Sequence, residues 1–306
     1  MSFHKKAIEE LSKYKQASKY FNSEVKAHTP VYRGKTRYHI LPEPQWNLLE
    51  SNLLYKDSII NGNNLFGKVK LPPYFCHMTS SQAMAINFFI PLIMNNQIEL
   101  VLRAFGIGEL LDPSKKIQFE YKSSIDSNRS SIDVYIPLLN SRGVYIEVKY
   151  SEGEFGRNQG KDWANFKRKY YNAARGIFPS QIHSNDQSTQ KWCLTNYQII
   201  RNAIHVLGEN TVKTLQNIEF NSTSPMEIPP VNYVVFIYPS NNKTLMNKAG
   251  EVMESLSNSA YKKHIIMMHW EVLFDFVSRK LNSDNNSYTY LKEFEDKYFF
   301  WLKSSN

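Results

Sequence analysis

Cysteine is scarce in this chain: Cys76 and Cys193 are the only two in 306 residues. Two thiols cannot build a disulfide framework, and no C-x-x-C spacing offers a zinc site. Long apolar runs are also missing. The longest, 83–94, is twelve residues and contains Asn87 and Pro91, well short of the roughly 20 that span a bilayer. The opening MSFHKKAIEE has no apolar stretch behind its lysines, so a signal peptide is not expected and a cytoplasmic location is. Internal repeats and low-complexity tracts are absent. What remains is a globular composition, 42% hydrophobic and 21% charged, long enough to bury a core without covalent staples.

Negative charge is the smaller share. Lys and Arg number 37 against 28 Asp and Glu, for a net charge of +9. The excess is concentrated. Residues 1–75 carry twelve Lys and Arg against six acids, and residues 155–205 carry eight against two. Two basic regions on a near-neutral body suggest a polyanionic partner, although charge alone describes a solvated basic surface equally well.

Periodicity divides the chain at about residue 75. Residues 3–28 have helical spacing of Ile8, Leu11, Phe21 and Val25 and end at Thr29-Pro30. A short helix opens at Pro44. Residues 1–75 are therefore expected to be a helical extension, and 76–306 the main domain. Thr79-Ser80-Ser81-Gln82 has the pattern of a capping box before a helix to Met94. Three alternating segments follow. In 117–122, Phe119 and Tyr121 oppose Gln118, Glu120 and Lys122. In 132–138, Ile132, Val134, Ile136 and Leu138 oppose Asp133 and Tyr135. In 144–150, Val144, Ile146 and Val148 oppose Tyr145, Glu147 and Lys149. Asn140-Ser141-Arg142-Gly143 is a turn that makes the last two a hairpin. A helix over 190–207, a polar connection over 208–230, a buried strand over 231–238 and alternating helix and strand to the end complete the reading. The expected class is α/β (α+β), a mixed central sheet flanked by helices.

The hairpin carries chemistry. Period-two alternation puts Asp133, Glu147 and Lys149 on one face, with Asp133 across from Glu147 or Lys149. Glu120 on the preceding strand also opposes an apolar row. Carboxylates a few ångström apart repel unless a divalent cation lies between them, and Mg²⁺ takes oxygen ligands while keeping positions for water and phosphate. A nearby lysine can hold or help deprotonate water and offset charge on a phosphoryl group. The competing explanation is a cross-strand salt bridge from Asp133 to Lys149.

At these residues the chain resembles the PD-(D/E)XK nucleases, in which an Asp is followed by E-x-K on the next strand. Here these are Asp133 and Glu147-Val148-Lys149. The order helix, three antiparallel strands, helix, strand matches over about 75–240. HMTSSQAMAINFFIPL, FEY and IEVKYSE further resemble a bacterial restriction-endonuclease-like group. The proline usual before the Asp is replaced by Ser131-Ile132. The resemblance implies that Asp133 and Glu147, joined by Glu120, ligate Mg²⁺, for which Mn²⁺ would substitute, and that Lys149 is the catalytic lysine. It implies a DNA endonuclease acting on double-stranded DNA, in restriction or a related defence role. A homodimer, and a cognate methyltransferase or another defence-system partner, fit that role; a membrane does not. The rival functions are a structure-selective or exonucleolytic repair nuclease and a non-catalytic DNA-binding protein on a nuclease fold.

Gln198, Arg201, Asn202 and His205 form a polar stripe at i, i+3, i+4 and i+7. Such a stripe is ordinarily a solvated face, but some members of the resembled superfamily carry a glutamine on this helix facing the site, which points to Gln198. Gln82 is expected to cap a helix and Glu152 to be a solvated strand-end acid. His264 and His269 are expected to be structural. The segment 157–175 carries Arg157, Lys161, Lys167, Arg168, Lys169 and Arg175 against Asp162 alone, among Trp163, Phe166, Tyr170 and Tyr171. It is expected to contact the DNA backbone.

Overall fold

A computed structural model describes residues 1–32, 34–126, 131–155, 163–182, 186–217, 228–281 and 288–303. Its centre is a five-stranded mixed sheet. Strands β1 (Gln118–Tyr121), β2 (Ile132–Leu138) and β3 (Arg142–Val148) form an antiparallel meander. Strand β4 (Tyr233–Tyr238) runs parallel to β3, and β5 (Ile265–His269) parallel to β4. The spatial order is β1-β2-β3-β4-β5. Gly143 is required by a close approach, because a Cβ there would stand 2.4 Å from the Tyr135 ring.

The central strands are buried on both faces, which is why β4 reads as an unbroken apolar run. Val134, Ile136, Val144, Ile146, Val148, Val235 and Ile237 belong to one core cluster. Tyr145, Val234, Phe236 and Tyr238 belong to the other. Helices α1 (Phe3–Ala17) and α2 (Ser81–Met94) contribute to the first cluster. The second takes residues from α3 (Gln187–Thr195), α4 (Tyr197–Ala203), α5 (Glu209–Gln216) and α6 (Lys243–Ser255). Helices α7 (Trp270–Leu281) and α8 (Tyr288–Tyr298) return to the first.

The first 75 residues share that core. Ala7, Leu11, Leu48 and Phe66 lie in the cluster that holds Val134 and Ile146. Polar bonds reinforce the join. Buried Asn87 on α2 accepts the Leu49 N–H at 2.9 Å and donates to Asn47 O at 2.8 Å and to the Tyr298 hydroxyl at 2.7 Å.

Four local expectations change. The helix over 3–28 is two: α1 stops before Ser18, and Asn22 opens Ser23–Ala27 by accepting the Val25 N–H. The helix over 190–207 breaks at Asn196, whose side chain donates to Trp192 O, and ends as a 3₁₀ turn over Ile204–Leu207. The connection after 207 begins with α5, which sequence polarity concealed because only Val212 and Leu215 are its buried residues. Ser80, not Gln82, supplies the α2 cap by accepting the Ala83 N–H.

The phase of β1 also changes. Phe119 packs in the first cluster, whereas Tyr121 stacks on Tyr135, 4.5 Å between ring centroids, on the other side. Between them Glu120 has φ of 52°, the left-handed region that side-chain-bearing residues seldom adopt. That one residue reverses the alternation. Its neighbour across the ladder follows, because Ile132, paired with Tyr121, sits in the second cluster while Val134 sits in the first.

Candidate active site

The β2–β3 ladder ends at the pair Val134 and Ile146. One step further, the strands part and leave Asp133 and Glu147 at the opening. Asp133 Oδ2 accepts the Val148 N–H at 2.6 Å, so a side chain takes the place of the next ladder bond. Lys149 stays on the sheet through β4, its N–H donating to Ile237 O at 2.8 Å. The indole of Trp270 donates to Lys149 O at 3.1 Å. The backbone of this corner is therefore held from three directions, by one backbone bond and two side chains.

The corner forms a cavity of about 480 Å³ lined by Glu120, Asp133, Glu147, Lys149, Glu152, Gln198 and Arg201, with Tyr74, His77, Ser80, Ser81, Gln82 and Ser131. Glu120, Asp133, Glu147, Lys149 and Gln198 are thus brought together. Val144, Ile146 and Val148 are fully buried behind them.

Glu147 is the most engaged side chain. It is 3% exposed and Lys149 is 8% exposed. Glu147 Oε1 accepts from Lys149 Nζ at 2.7 Å and from Gln198 Nε2 at 2.5 Å. Its Oε2 accepts from Asn202 Nδ2 at 2.9 Å. The polar stripe of 198–205 is therefore not a solvated face: Asn202 and His205 are buried, and the stripe holds Glu147. The competing explanation, a cross-strand bridge from Asp133 to Lys149, does not describe the pairing: Lys149 is ion-paired instead to Glu147, within β3 and its extension. Glu120 accepts from the Ser131 hydroxyl.

Charge in the cavity is unbalanced toward the negative. Burial, and then the negative charge of Glu147, raise the Asp133 carboxyl well above its usual range. Burial and Glu147 raise Glu120 as well, against a lowering by Ser131. Burial alone would lower Lys149, but Glu147, Glu152 and Asp133 outweigh it and hold the ammonium charged.

Residues 12–299 match the family described as Restriction Endonuclease associating with ARP. The chain belongs to that family. No curated protein and no solved structure matches it. As a family match it covers the N-terminal extension and the C-terminal helices as well as the sheet, consistent with their shared core. The mixed sheet flanked by helices is the restriction-endonuclease-like fold, and membership makes the chain a restriction-endonuclease-like nuclease.

The remaining candidates of this restriction-endonuclease family member divide between the cavity and the rest of the molecule. Lys167, Arg168 and Lys169 lie in a π-helical turn, Lys167–Tyr171, and do not line the cavity. Arg157 and Lys161 lie outside the described residues. Phe166, Tyr170 and Tyr171 are buried in the second core cluster, so they pack the domain rather than offer stacking faces. Glu152 is not simply solvated: it accepts the Tyr150 N–H at 2.7 Å and lines the cavity. His264 bonds Asn232 O, and His269 packs edge-on to Tyr238, both structural contacts.

Sequence reasoning did not select Asn202, Tyr74 or His77. Asn202 was findable, because it follows Gln198 by four residues on one helical face. Tyr74 and His77 had no signal, because tertiary folding alone carries the segment before α2 to the sheet corner.

The donor set suits a hard cation. Among the described residues no three His, Cys, Asp or Glu groups form a ready metal cage. The cavity instead offers the separate carboxylates of Glu120, Asp133 and Glu147 beside open space. Mg²⁺ binds in that manner, through one or two carboxylates with water and phosphate oxygens completing the shell. No helix among the described residues is long and apolar enough to cross a membrane.

Proposed function

We propose that this chain is a Mg²⁺-dependent DNA endonuclease of the PD-(D/E)XK type that hydrolyses phosphodiester bonds in double-stranded DNA, in restriction or a related defence role. One observation carries the reading: Asp133, Glu147 and Lys149 converge on one cavity at the point where β2 and β3 part. The two carboxyls pushed above their ordinary range are what clustered acids show when a positive partner is missing.

Asp133 and Glu147, with Glu120, would hold the metal. When bound, Mg²⁺ supplies positive charge to the phosphoryl oxygens and makes water more acidic. The chain does the rest. Gln198 and Asn202 fix both oxygens of Glu147, and the Val148 amide fixes Asp133, so the ligand oxygens are set before substrate arrives. Lys149 stays an ammonium in this environment. It holds water by hydrogen bonding and stabilises the charge that builds on the phosphoryl group. Attack by water in line with the leaving sugar oxygen breaks the P–O bond, and the departing oxygen takes a proton.

The family description names association with ARP, and such a protein is a candidate defence-system partner alongside a cognate methyltransferase. A palindromic double-strand cut would favour a homodimer with two-fold symmetry. The test is plasmid DNA incubated with and without Mg²⁺ or Mn²⁺, with EDTA as control. Discrete metal-dependent fragments support the restriction reading. A smear, or trimming from ends, favours a non-specific or repair nuclease. Binding without cleavage, with and without the partner, favours a non-catalytic protein.

A further inference from the structure

Four acids line the cavity, Glu120, Asp133, Glu147 and Glu152, against two permanent cations, Lys149 and Arg201. The Lys149 ammonium is engaged by Glu147. Arg201 is placed differently. Its Nε donates to Asn202 Oδ1 at 3.0 Å, and its terminal amino groups meet no carboxylate among the described residues. The same Asn202 carboxamide donates to Glu147 Oε2 at 2.9 Å. Asn202 is 0% exposed. One buried amide therefore ties the most engaged carboxylate of the site to a cation on the cavity wall.

We propose that Arg201 binds the oxygens of the substrate phosphodiester, and that Asn202 is the positioning residue that fixes Arg201 relative to Glu147. The proposal rests on the nuclease reading above. Guanidinium geometry supports it. With Nε used on Asn202, the two terminal amino groups remain as a planar fork, the shape that pairs with two phosphate oxygens. Charge supports it as well. Carboxyls outnumber cations in the cavity, so a phosphodiester is better received once a divalent ion is held there. A guanidinium without a carboxylate partner is then the group free to anchor the anion. Lys149 serves differently, because its compact charge, paired with Glu147, meets the phosphoryl group as a point and not as a fork.

Arg201→Ala, Arg201→Lys and Asn202→Ala test this. Three quantities are read: Mn²⁺ affinity by calorimetry, duplex binding against salt with Ca²⁺ in place of Mg²⁺, and single-turnover cleavage with Mg²⁺. Arg201→Ala should keep Mn²⁺ affinity, flatten the slope of log K against log salt by about 0.9, and slow cleavage by about 10²-fold. Arg201→Lys should restore the slope but not the rate, because an ammonium lacks the fork. Asn202→Ala should weaken Mn²⁺ binding by about tenfold. Adding Arg201→Ala to it should then change the salt slope little, because the unbraced guanidinium no longer reaches its target.

Wild-type slope and rate in Arg201→Ala would overturn the proposal while leaving the nuclease reading intact. Loss of Mn²⁺ affinity in Arg201→Ala would also overturn it, by making Arg201 part of the metal pocket. A wild-type protein that neither binds Mn²⁺ nor cuts DNA would remove the nuclease reading, and the proposal with it. Should Asn202→Ala fail to fold, the half-exposed Arg201 variants still decide the anion contact.

Discussion

The carboxylate of Asp133 accepts the backbone N–H of Val148 at 2.6 Å, so a proposed metal ligand also closes the β2–β3 ladder. The two roles separate by substitution. Asparagine keeps an acceptor for Val148 but carries no charge. Burial and Glu147 raise the Asp133 carboxyl, so the folded state holds its proton to higher pH than the unfolded chain does. Its stabilising contribution is therefore full below the ordinary carboxyl range and is lost as pH rises through the raised value. In EDTA, Asp133→Asn should be more stable than wild type at pH 8 by about 1–3 kcal/mol, and the difference should vanish by about pH 4. Asp133→Ala should forfeit that gain by leaving the Val148 N–H unpaired. Urea denaturation at the two pH values reads the outcome, and an Asn variant less stable at pH 8 would contradict it. Neither variant should cut DNA.

Glu147 and Lys149 share a 2.7 Å ion pair inside the cavity, and they are expected to act as a unit. Glu147→Ala and Lys149→Ala should each lower cleavage by about 10⁴-fold, with the double variant scarcely worse than either. Both partners are almost fully buried, so removing one leaves a buried charge without its counterion, and each single variant should also lose about 3–5 kcal/mol of stability. Glu147→Gln keeps the shape and should lose activity with less loss of stability. Multiplicative losses in the double variant would show independent roles.

The three meander strands were legible because alternation leaves a period of two in the sequence, and β4 because burial on both faces leaves an unbroken apolar run. Val144, Ile146 and Val148 declared the buried row, and with it the place of Glu147. What periodicity could not carry was the reversal at Glu120, because a positive φ in a non-glycine residue has no compositional mark. The nearness of Gln198 to the site followed from the resemblance, not from the stripe, since a stripe of polar residues reads alike whether it meets water or a buried carboxylate; its bond to Glu147 had no mark in the sequence. The aromatic residues of 163–171 misled for a related reason. Interleaving lysine with tyrosine suits a nucleic-acid surface, but it also suits a helix that buries one face, and Phe166 and Tyr170 are buried.

The basic stretch still has charge to offer. Arg168 is exposed, and its guanidinium bonds Asn165 Oδ1 at 2.8 Å, which leaves the helix face cationic. Replacing Lys167, Arg168 and Lys169 by alanine should weaken binding to all duplexes alike and flatten the salt slope by roughly two to three, at about 0.9 per phosphate contact. Mn²⁺ affinity should hold, because these side chains lie off the cavity. Fluorescence anisotropy across a salt series, with calorimetry for the metal, separates the two effects. Unchanged binding at about 0.15 M salt would move the footprint to the basic N-terminal residues.

Lys297 supplies a pH dependence remote from the cavity. It is 2% exposed, and its Nζ donates to Asn47 O at 2.6 Å. Burial lowers its pKa from 10.5 to about 7. The unfolded chain keeps the proton across the interval between these values, so unfolding takes up a proton there, and stability rises with pH by at most about 1.4 kcal/mol per pH unit from this group. Below pH 7 the lysine is charged in both states and its burial weighs fully against the fold. Lys297→Met fills similar space without the charge, and Asn47 O keeps its bond from Asn87. The variant should exceed wild type in stability at pH 6.5, and the gap should shrink steadily to pH 9.5. The comparison stops there because buried tyrosines, Tyr298 among them, begin to favour unfolding as free tyrosine ionises near pH 10. A gap that stays constant with pH would mean that Lys297 remains charged in the folded protein throughout.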